Sequence, residues 1–394
     1  MTFNQKFRYI ILFFILFSLM SPIISLNYLV NSSYEREYWP TEEWQYSTPK
    51  KQRLDGKLLE DMVEYLDEEK IYVDSIIIVK NGYIVFEDYF IGNYPERKHV
   101  QWSVTKSFIS ALIGIALDKG YLESLDQKAL DFFPNISYYN PDPRKENITI
   151  ENLITMSTGL DWEDDVNYFP MVASANQLEY VFSRPMINDP GSIWNYDTGG
   201  THILSAIIQV VTGKTTLEFA KENLFDPIGI SNYSWTQDKQ GIYFGGFGLY
   251  LTSRDMARFG YLYLNNGSWN NQQIISSEWI KNSTEPYWNF SNGYWGYGYL
   301  WWLRPNLNFY SAKGRYEQMI YVLPDEDMVV IFTSNIEPGT YNMDYLIENY
   351  ILPAIYDKKV TFWFSIIIIT IIVLPAIPRI RNILVKKIQE DTIK

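Results

Sequence analysis

The sequence predicts an α+β fold, an antiparallel sheet drawn from both halves of the chain, flanked by helices, with a mostly helical insertion and an apolar, helix-length stretch at each end. Three observations predict it. Two β-rich runs meet at Asn81-Gly82, further β-rich runs lie between residues 299 and 334, and the section from 120 to 245 is helical and irregular, with glycine-bounded loops.

Residues 9–30 carry no charge and follow Lys6 and Arg8; residues 360–378 carry none and precede Arg379, Arg381, Lys386 and Lys387. Each is near the length of about 20 residues that crosses a bilayer. The flanking cations lie outside the central section, so the positive-inside rule puts residues 1–8 and 379–394 in the cytoplasm and the central domain outside, although Lys358 and Lys359 stand against this at the second stretch. Residues 9–30 also fit a cleaved signal peptide, but no small-x-small cleavage site follows, and an uncleaved anchor is the expectation. Asn-x-Ser/Thr sequons, among them Asn31, Asn135 and Asn289, fall in the section placed outside.

Residues 31–52 are polar and aromatic and read as a juxtamembrane lead to a domain over 53–357. Residues 53–70 have helical spacing, with Leu54, Leu58, Leu59, Met62, Val63 and Leu66 on one side. Residues 75–80 and 83–90 form a hairpin about Asn81-Gly82, a strong short-range turn signal. The run from Phe108 to Leu117 has helical length and stops at Lys119-Gly120, so a helix begins at about Ser103. Further helices are expected over 148–158, 201–212 and 216–224, each of the first two stopped by a glycine. Pro190 to Gly200 is a loop carrying two aromatics, and Gly245 to Asp255 is a glycine-rich turn opening a helix through Met256 and Phe259. Strands over 299–303, 317–323 and 328–334 and a helix over 343–356 close the domain.

The residues that carry chemistry start at Ser103. Lys106 follows three positions later, on the same helical face and one turn along, near enough for its amine to meet the Ser103 hydroxyl. A weak nucleophile beside a candidate base at the positive end of a helix dipole suits acyl transfer. An N-cap serine followed by a surface lysine has the same spacing.

Composition removes other chemistries. The 394 residues include no cysteine, which excludes disulfides, thiolate metal sites and a cysteine nucleophile. Histidine occurs twice, at His99 and His202, so a metal site of several imidazoles is excluded and a Ser-His-Asp triad would need one of these two. A net charge of −13 makes nucleic acid a poor partner. No metal or other cofactor is expected.

Five stretches, in order, resemble the serine β-lactamase-related family of class C β-lactamases, low-molecular-weight penicillin-binding proteins, esterases and 6-aminohexanoate-dimer hydrolases. They are Trp102-Ser103-Val104-Thr105-Lys106-Ser107, Leu153 to Leu160, Pro190-Gly191 to Tyr196, Leu251 to Gly260, and Tyr310 to Pro324. The wording Ser-Val-Thr-Lys-Ser is most similar to the 6-aminohexanoate-dimer hydrolase and esterase branch. The resemblance implies a β-lactamase/transpeptidase-like fold, with Ser103 as acylated nucleophile, Lys106 sharing its proton, and Tyr196 as the tyrosine of a Tyr-x-Asn motif. It implies an oxyanion hole from the backbone N–H groups of Ser103 and of the strand near Ala312. Trp102, Trp194, Thr198 and Tyr310 are expected to line the substrate pocket.

Two departures from the family pattern set the expected substrate. Thr198 stands where β-lactamases have asparagine. Counting back from Pro324 puts Phe309-Tyr310-Ser311 where a Lys-Thr-Gly triplet would hold a penicillin carboxylate; Lys313 is nearby but is not equated with that lysine. An ester or simple amide is therefore the expected substrate. A penicillin-binding-type carboxypeptidase or transpeptidase, or a non-catalytic surface binding or sensor domain, is the alternative.

Overall fold

The computed structural model describes residue 36 and residues 38–290 and 295–355. The chain divides into two compact units, residues 1–39 and 40–394; of the first only Arg36, Tyr38 and Trp39 are described, and the sheet and its helices belong to the second. The stretches 9–30 and 360–378, expected as membrane spans, lie outside the described residues. Among the described residues no single helix is long and apolar enough to cross a membrane.

Helix α1 (Gly56–Glu68) starts at Asp55, whose carboxylate accepts from Lys57 N at 3.0 Å, and buries Leu59, Met62 and Leu66. Strands β1 (Val73–Lys80) and β2 (Tyr83–Tyr89) form the expected hairpin, with Asn81 and Gly82 at φ 52° and 87°. Helices α2 (Val104–Asp118), α3 (Asp164–Ala173), α4 (Thr198–Thr212) and α5 (Ser253–Leu264) follow. The remaining strands of the main sheet are β3 (Trp288–Phe290), β4 (Trp295–Tyr297), β5 (Trp302–Arg304), β6 (Phe309–Gly314), β7 (Gln318–Leu323) and β8 (Met328–Ser334); short strands outside it form a three-stranded and a two-stranded sheet.

The sheet runs β2-β1-β8-β7-β6-β5-β4-β3, antiparallel throughout, with β1 paired to β8 through Ile77 opposite Ile331. The first and last parts of the domain therefore share its centre, as the two groups of β-rich runs predict. Residues on either side of the domain also meet: Leu54 bridges Ile355, and Asp55 N donates to Ala354 O at 2.8 Å. One face of the sheet packs Ile76, Ile78, Val330 and Phe332 against α1 and against Leu346, Ile347 and Ile351. The other carries α5, whose Phe259 stacks on Phe108 of α2 with ring centroids 3.7 Å apart. Every residue of α2 from Val104 to Ala116 is buried, so this helix is internal rather than amphipathic.

Residues 40–52, read in sequence as a lead, are bonded to α5 and its neighbours: Arg258 Nε donates to Pro40 O and Trp269 Nε1 to Thr41 Oγ1, both at 2.8 Å. The helix expected over 148–158 is Ile150–Ile154. Met156 takes φ 59° and ends it, and the freed carbonyls of Met156 and Ser157 accept from Asn195 N and Gly191 N at 2.8 and 2.7 Å. That segment is thus spent on holding the 190–197 loop. The strand expected over 299–303 is displaced to β5, because Leu300 at φ 62° leaves the extended region.

A buried charge cluster joins the interior strands β5, β6 and β7 to the C-terminal turns. Asp344, 1% exposed, accepts from Lys313 Nζ and Tyr321 Oη at 2.7 Å each and pairs with Arg304 Nη1 at 3.3 Å; Arg304 also engages Glu348. Removing one member of such a cluster strands the others in a medium that cannot solvate them. Asp344→Ala is expected to cost about 3–5 kcal/mol, read as a shift in the denaturant midpoint. Asp61→Ala, which breaks the exposed Lys57–Asp61 pair, is expected to leave the midpoint nearly unchanged, because solvent screens that pair. Equal effects from the two substitutions would show that the cluster adds nothing beyond surface pairing.

Candidate active site

Ser103 occupies the N-cap position of α2 at φ −71° and ψ −9°, with no side-chain capping bond, so its hydroxyl is not spent on the helix. Lys106, 1% exposed, lies one turn along. Its Nζ is 2.8 Å from Ser103 Oγ and 2.9 Å from Gly246 O, to which it donates. Gly246 can approach because it has no side chain: a Cβ there would stand 2.6 Å from Thr198 Cγ2, and one at Gly245 1.9 Å from Thr201 O. The glycine-rich turn seen in the sequence thus has a specific task, bringing a carbonyl to the lysine.

Tyr196 closes the triangle. Its ring centroid is 4.9 Å from Lys106 Nζ, and its ring stacks on Trp302 at 6.1 Å. The electrostatics of the three groups follow from their enclosure. Burial pulls the Lys106 amine down to about 8 from the ordinary 10.5, with Asp164 and Asp197 acting in the opposite sense. Burial holds the Tyr196 phenol well above its ordinary value, Asp164 adds to this, and a hydrogen bond with Ser103 opposes it. The phenol is therefore neutral at physiological pH, and the lysine is the group of this pair poised to change charge.

A cavity of about 550 Å³ opens on Ser103, walled by Trp194, Tyr196, Phe290, Trp295, Trp302 and Met319 and, at one end, by Lys313, Gly314, Arg315 and Glu317. Trp194 stands where the sequence places it, edge-on to Phe290 at 5.0 Å and to Trp302 at 5.9 Å.

The structure does not bring the other expected lining residues there. Thr198 is buried at the start of α4, where its hydroxyl donates to Asp164 Oδ2 at 2.6 Å and its N–H to Asp164 Oδ1 at 3.2 Å. Tyr310 is buried between β6 and α5, edge-on to Trp301 at 5.3 Å and to Tyr263 at 6.4 Å, and does not line the cavity. Trp102 turns away at φ 47°, its ring 5.4 Å from that of Tyr316, and lines a separate cleft with Asp74 and His99. Ala312, 1% exposed and opposite Ile320 in the ladder, does not line the cavity.

The register explains the last of these. β6 and β7 pair as far as Gly314 opposite Gln318, leaving a three-residue connection, Arg315-Tyr316-Glu317. The strand therefore reaches Ser103 at Lys313-Gly314-Arg315 and not at Phe309-Tyr310-Ser311 or Ala312. Gly314 makes the approach possible, since a Cβ there would lie 2.4 Å from Gln101 O. Lys313 lies in the cavity wall, but its amine is bonded to Asp344 and sits 4.5 Å from the centre of the Trp295 ring. Tyr316 and Glu317 both adopt left-handed backbone, at φ 61° and 60°. Each such residue with a side chain costs about 1–2 kcal/mol.

His99 pairs with Asp74 at 3.4 Å and His202 with Asp238 at 3.0 Å, and neither lines the Ser103 cavity. A Ser-His-Asp arrangement is thus excluded on geometry. Among the described residues no group of three or more His, Cys, Asp or Glu is placed to hold a metal ion. Sequence reasoning missed Phe290, Trp295, Trp302 and Arg315 as cavity residues; the aromatic density from Trp295 to Trp302 was the available signal for the middle two.

A free serine at an internal helix start, a buried lysine in hydrogen-bonding contact with it and a tyrosine over that lysine, on an antiparallel sheet flanked by helices, define a serine hydrolase. The chain belongs to the beta-lactamase family, whose model, described as Beta-lactamase, matches residues 59–351. It is 21% identical over 311 residues to the 6-aminohexanoate-dimer hydrolase of Paenarthrobacter ureafaciens, covering 70% of this chain and 76% of that protein. Among solved structures, it matches an octameric penicillin-binding protein homologue from Pyrococcus abyssi with a TM-score of 0.60 and 24% identity, over 77% of this chain and 78% of that one. It matches a family VIII carboxylesterase with a TM-score of 0.60 and 15% identity, over 75% and 96% of the respective chains. These two structural likenesses are likenesses of fold.

Proposed function

We propose that the protein hydrolyses an ester or simple amide through an acyl-enzyme on Ser103, and that it does so outside the cell on a domain tethered by residues 9–30 and 360–378. The observation that carries the first part is the 2.8 Å contact between Ser103 Oγ and a lysine amine that burial brings down to about 8. In its neutral form Lys106 takes the Ser103 proton as Oγ attacks the substrate carbonyl. The Tyr196 phenol, hydrogen-bonded to Ser103, relays that proton to the departing alcohol or amine. Water then enters by the same route in reverse, and its hydroxyl adds to the acyl carbon as Ser103 regains its proton.

The oxyanion forming at the carbonyl needs two N–H donors near Oγ. Ser103 N–H is one. With Ala312 buried in the ladder, Arg315 N–H, where β6 ends beside Ser103, is the candidate for the other.

The aromatic walls favour an apolar group beside the scissile bond. Lys313, committed to Asp344, is a poor anchor for a substrate carboxylate, which weighs against β-lactams and cell-wall peptides. A relative named for hydrolysis of 6-aminohexanoate dimer and a fold neighbour named carboxylesterase support an amide or ester substrate. The tether rests on the uncharged stretches and their flanking cations.

Full-length protein in its membrane fraction, exposed to a fluorophosphonate probe, is expected to gain one adduct that peptide mapping places on Ser103, and to stay in the pellet through alkaline carbonate extraction. No adduct on folded protein would favour a binding or sensor role over hydrolysis. Release by carbonate would remove the tether.

A further inference from the structure

The connection between β6 and β7 is strained in a way that glycine would avoid. Tyr316 and Glu317 stand in adjacent left-handed positions, and the surrounding structure enforces them: the Tyr316 carbonyl accepts from Gln318 Nε2 at 3.0 Å and from Ser334 Oγ at 2.6 Å. The strain places two side chains. Tyr316 packs on Trp102, the residue before Ser103, and Glu317 enters the wall of the Ser103 cavity.

The charges around Glu317 do not neutralise it. Lys313 on β6 faces it but is bonded to Asp344, which also pairs with Arg304 of β5; Arg304 in turn engages Glu348, and Tyr321 of β7 donates to Asp344. Two cations thus meet two other carboxylates, and Glu317 is the surplus acid at this end. Arg315 is exposed at the mouth with its guanidinium 5.5 Å from the Tyr316 ring centre, where solvent screens it. The other walls are aromatic faces, which attract cations. Two such contacts are already present in the cavity, Lys106 on Tyr196 and Lys313 on Trp295.

The geometry points to Glu317 as a specificity-determining residue which, for the acyl transfer proposed above and resting on that reading, selects substrates that carry an ammonium group on the side facing the β6–β7 turn. Burial pushes the Glu317 carboxyl up to about 7, with Lys313 opposing, Asp344 adding, and the Met343 N–H opposing. Its charge is present above that pH and lost below, so the preference for cations fades as pH falls through about 7.

The test compares p-nitrophenyl butyrate with its 4-trimethylammonio analogue on full-length protein. The cationic ester is expected to be favoured about tenfold in kcat/KM above neutral pH and not below, and Glu317→Gln is expected to bring the ratio near one throughout. Glu317→Gly should abolish the preference equally while leaving the fold as stable or more so, since it relieves the left-handed position. Binding of butyltrimethylammonium to Ser103→Ala protein, measured by calorimetry, reads the same carboxylate without turnover and should weaken about tenfold when Glu317→Gln is added. An ester ratio unchanged by Glu317→Gln, or binding indifferent to it, overturns the proposal. Charge-dependent binding with no ester turnover in any protein would sink the Ser103 reading, and with it the selection of substrates, and leave Glu317 as a cation-binding residue only.

Discussion

Ser103→Ala is expected to lower turnover of an activated ester on the order of 10³–10⁶-fold, the range seen when a covalent nucleophile is removed and binding alone remains. Stability should move by less than ~1 kcal/mol, since the Ser103 side chain makes no capping bond and its backbone lies in the ordinary helical region. A thermal melt run beside the assay separates lost chemistry from lost fold. Turnover retained at wild-type rates in the variant would place the nucleophile on another residue.

Lys106→Met is expected to slow acylation by roughly 10²–10⁴-fold, the usual contribution of a positioned base. Methionine keeps the buried stem and its packing, so the comparison isolates the amine. The pH profile carries the sign. With the amine down to about 8, Lys106 is protonated below that value and cannot accept the Ser103 proton, so the acylation rate of the natural protein should climb as pH rises toward 8 and level above it. The climb should vanish in Lys106→Met. A variant that kept both rate and profile would assign the base elsewhere, with Tyr196 next in line on geometry.

Local signals with one physical solution were legible in the sequence. Asn81-Gly82 admits few conformations other than a tight hairpin turn, and the apolar run of β8 is too short for a buried helix and is bounded by acidic turn residues. Helical geometry put Ser103 and Lys106 within reach of each other, and resemblance to the family favoured their pairing over a capping serine with a surface lysine and placed Tyr196 beside them. What stayed hidden depended on long-range approach. The helix expected through Thr158 stops early because Met156 and Ser157 serve a loop more than thirty residues away. β3 and β4, Trp288-Asn289-Phe290 and Trp295-Gly296-Tyr297, alternate aromatic and other residues, but at three residues each they are too short for that alternation to read as a period. The register that exchanges Ala312 for Arg315 turns on a hairpin built from left-handed tyrosine and glutamate, residues that ordinarily argue against such a turn.

The pairing of β1 with β8 also shapes how the protein comes into being. On a ribosome adding about 5–20 residues per second, β1 waits on the order of 10–50 s before the strand that covers its second edge has been made. During that interval a strand buried on both faces in the finished molecule offers an open edge and apolar side chains to any neighbour. Contacts joining such distant parts of a chain form late and slowly. A domain whose first strand is completed by its last is one that a nascent-chain chaperone, or passage across a membrane before folding, would spare from aggregation.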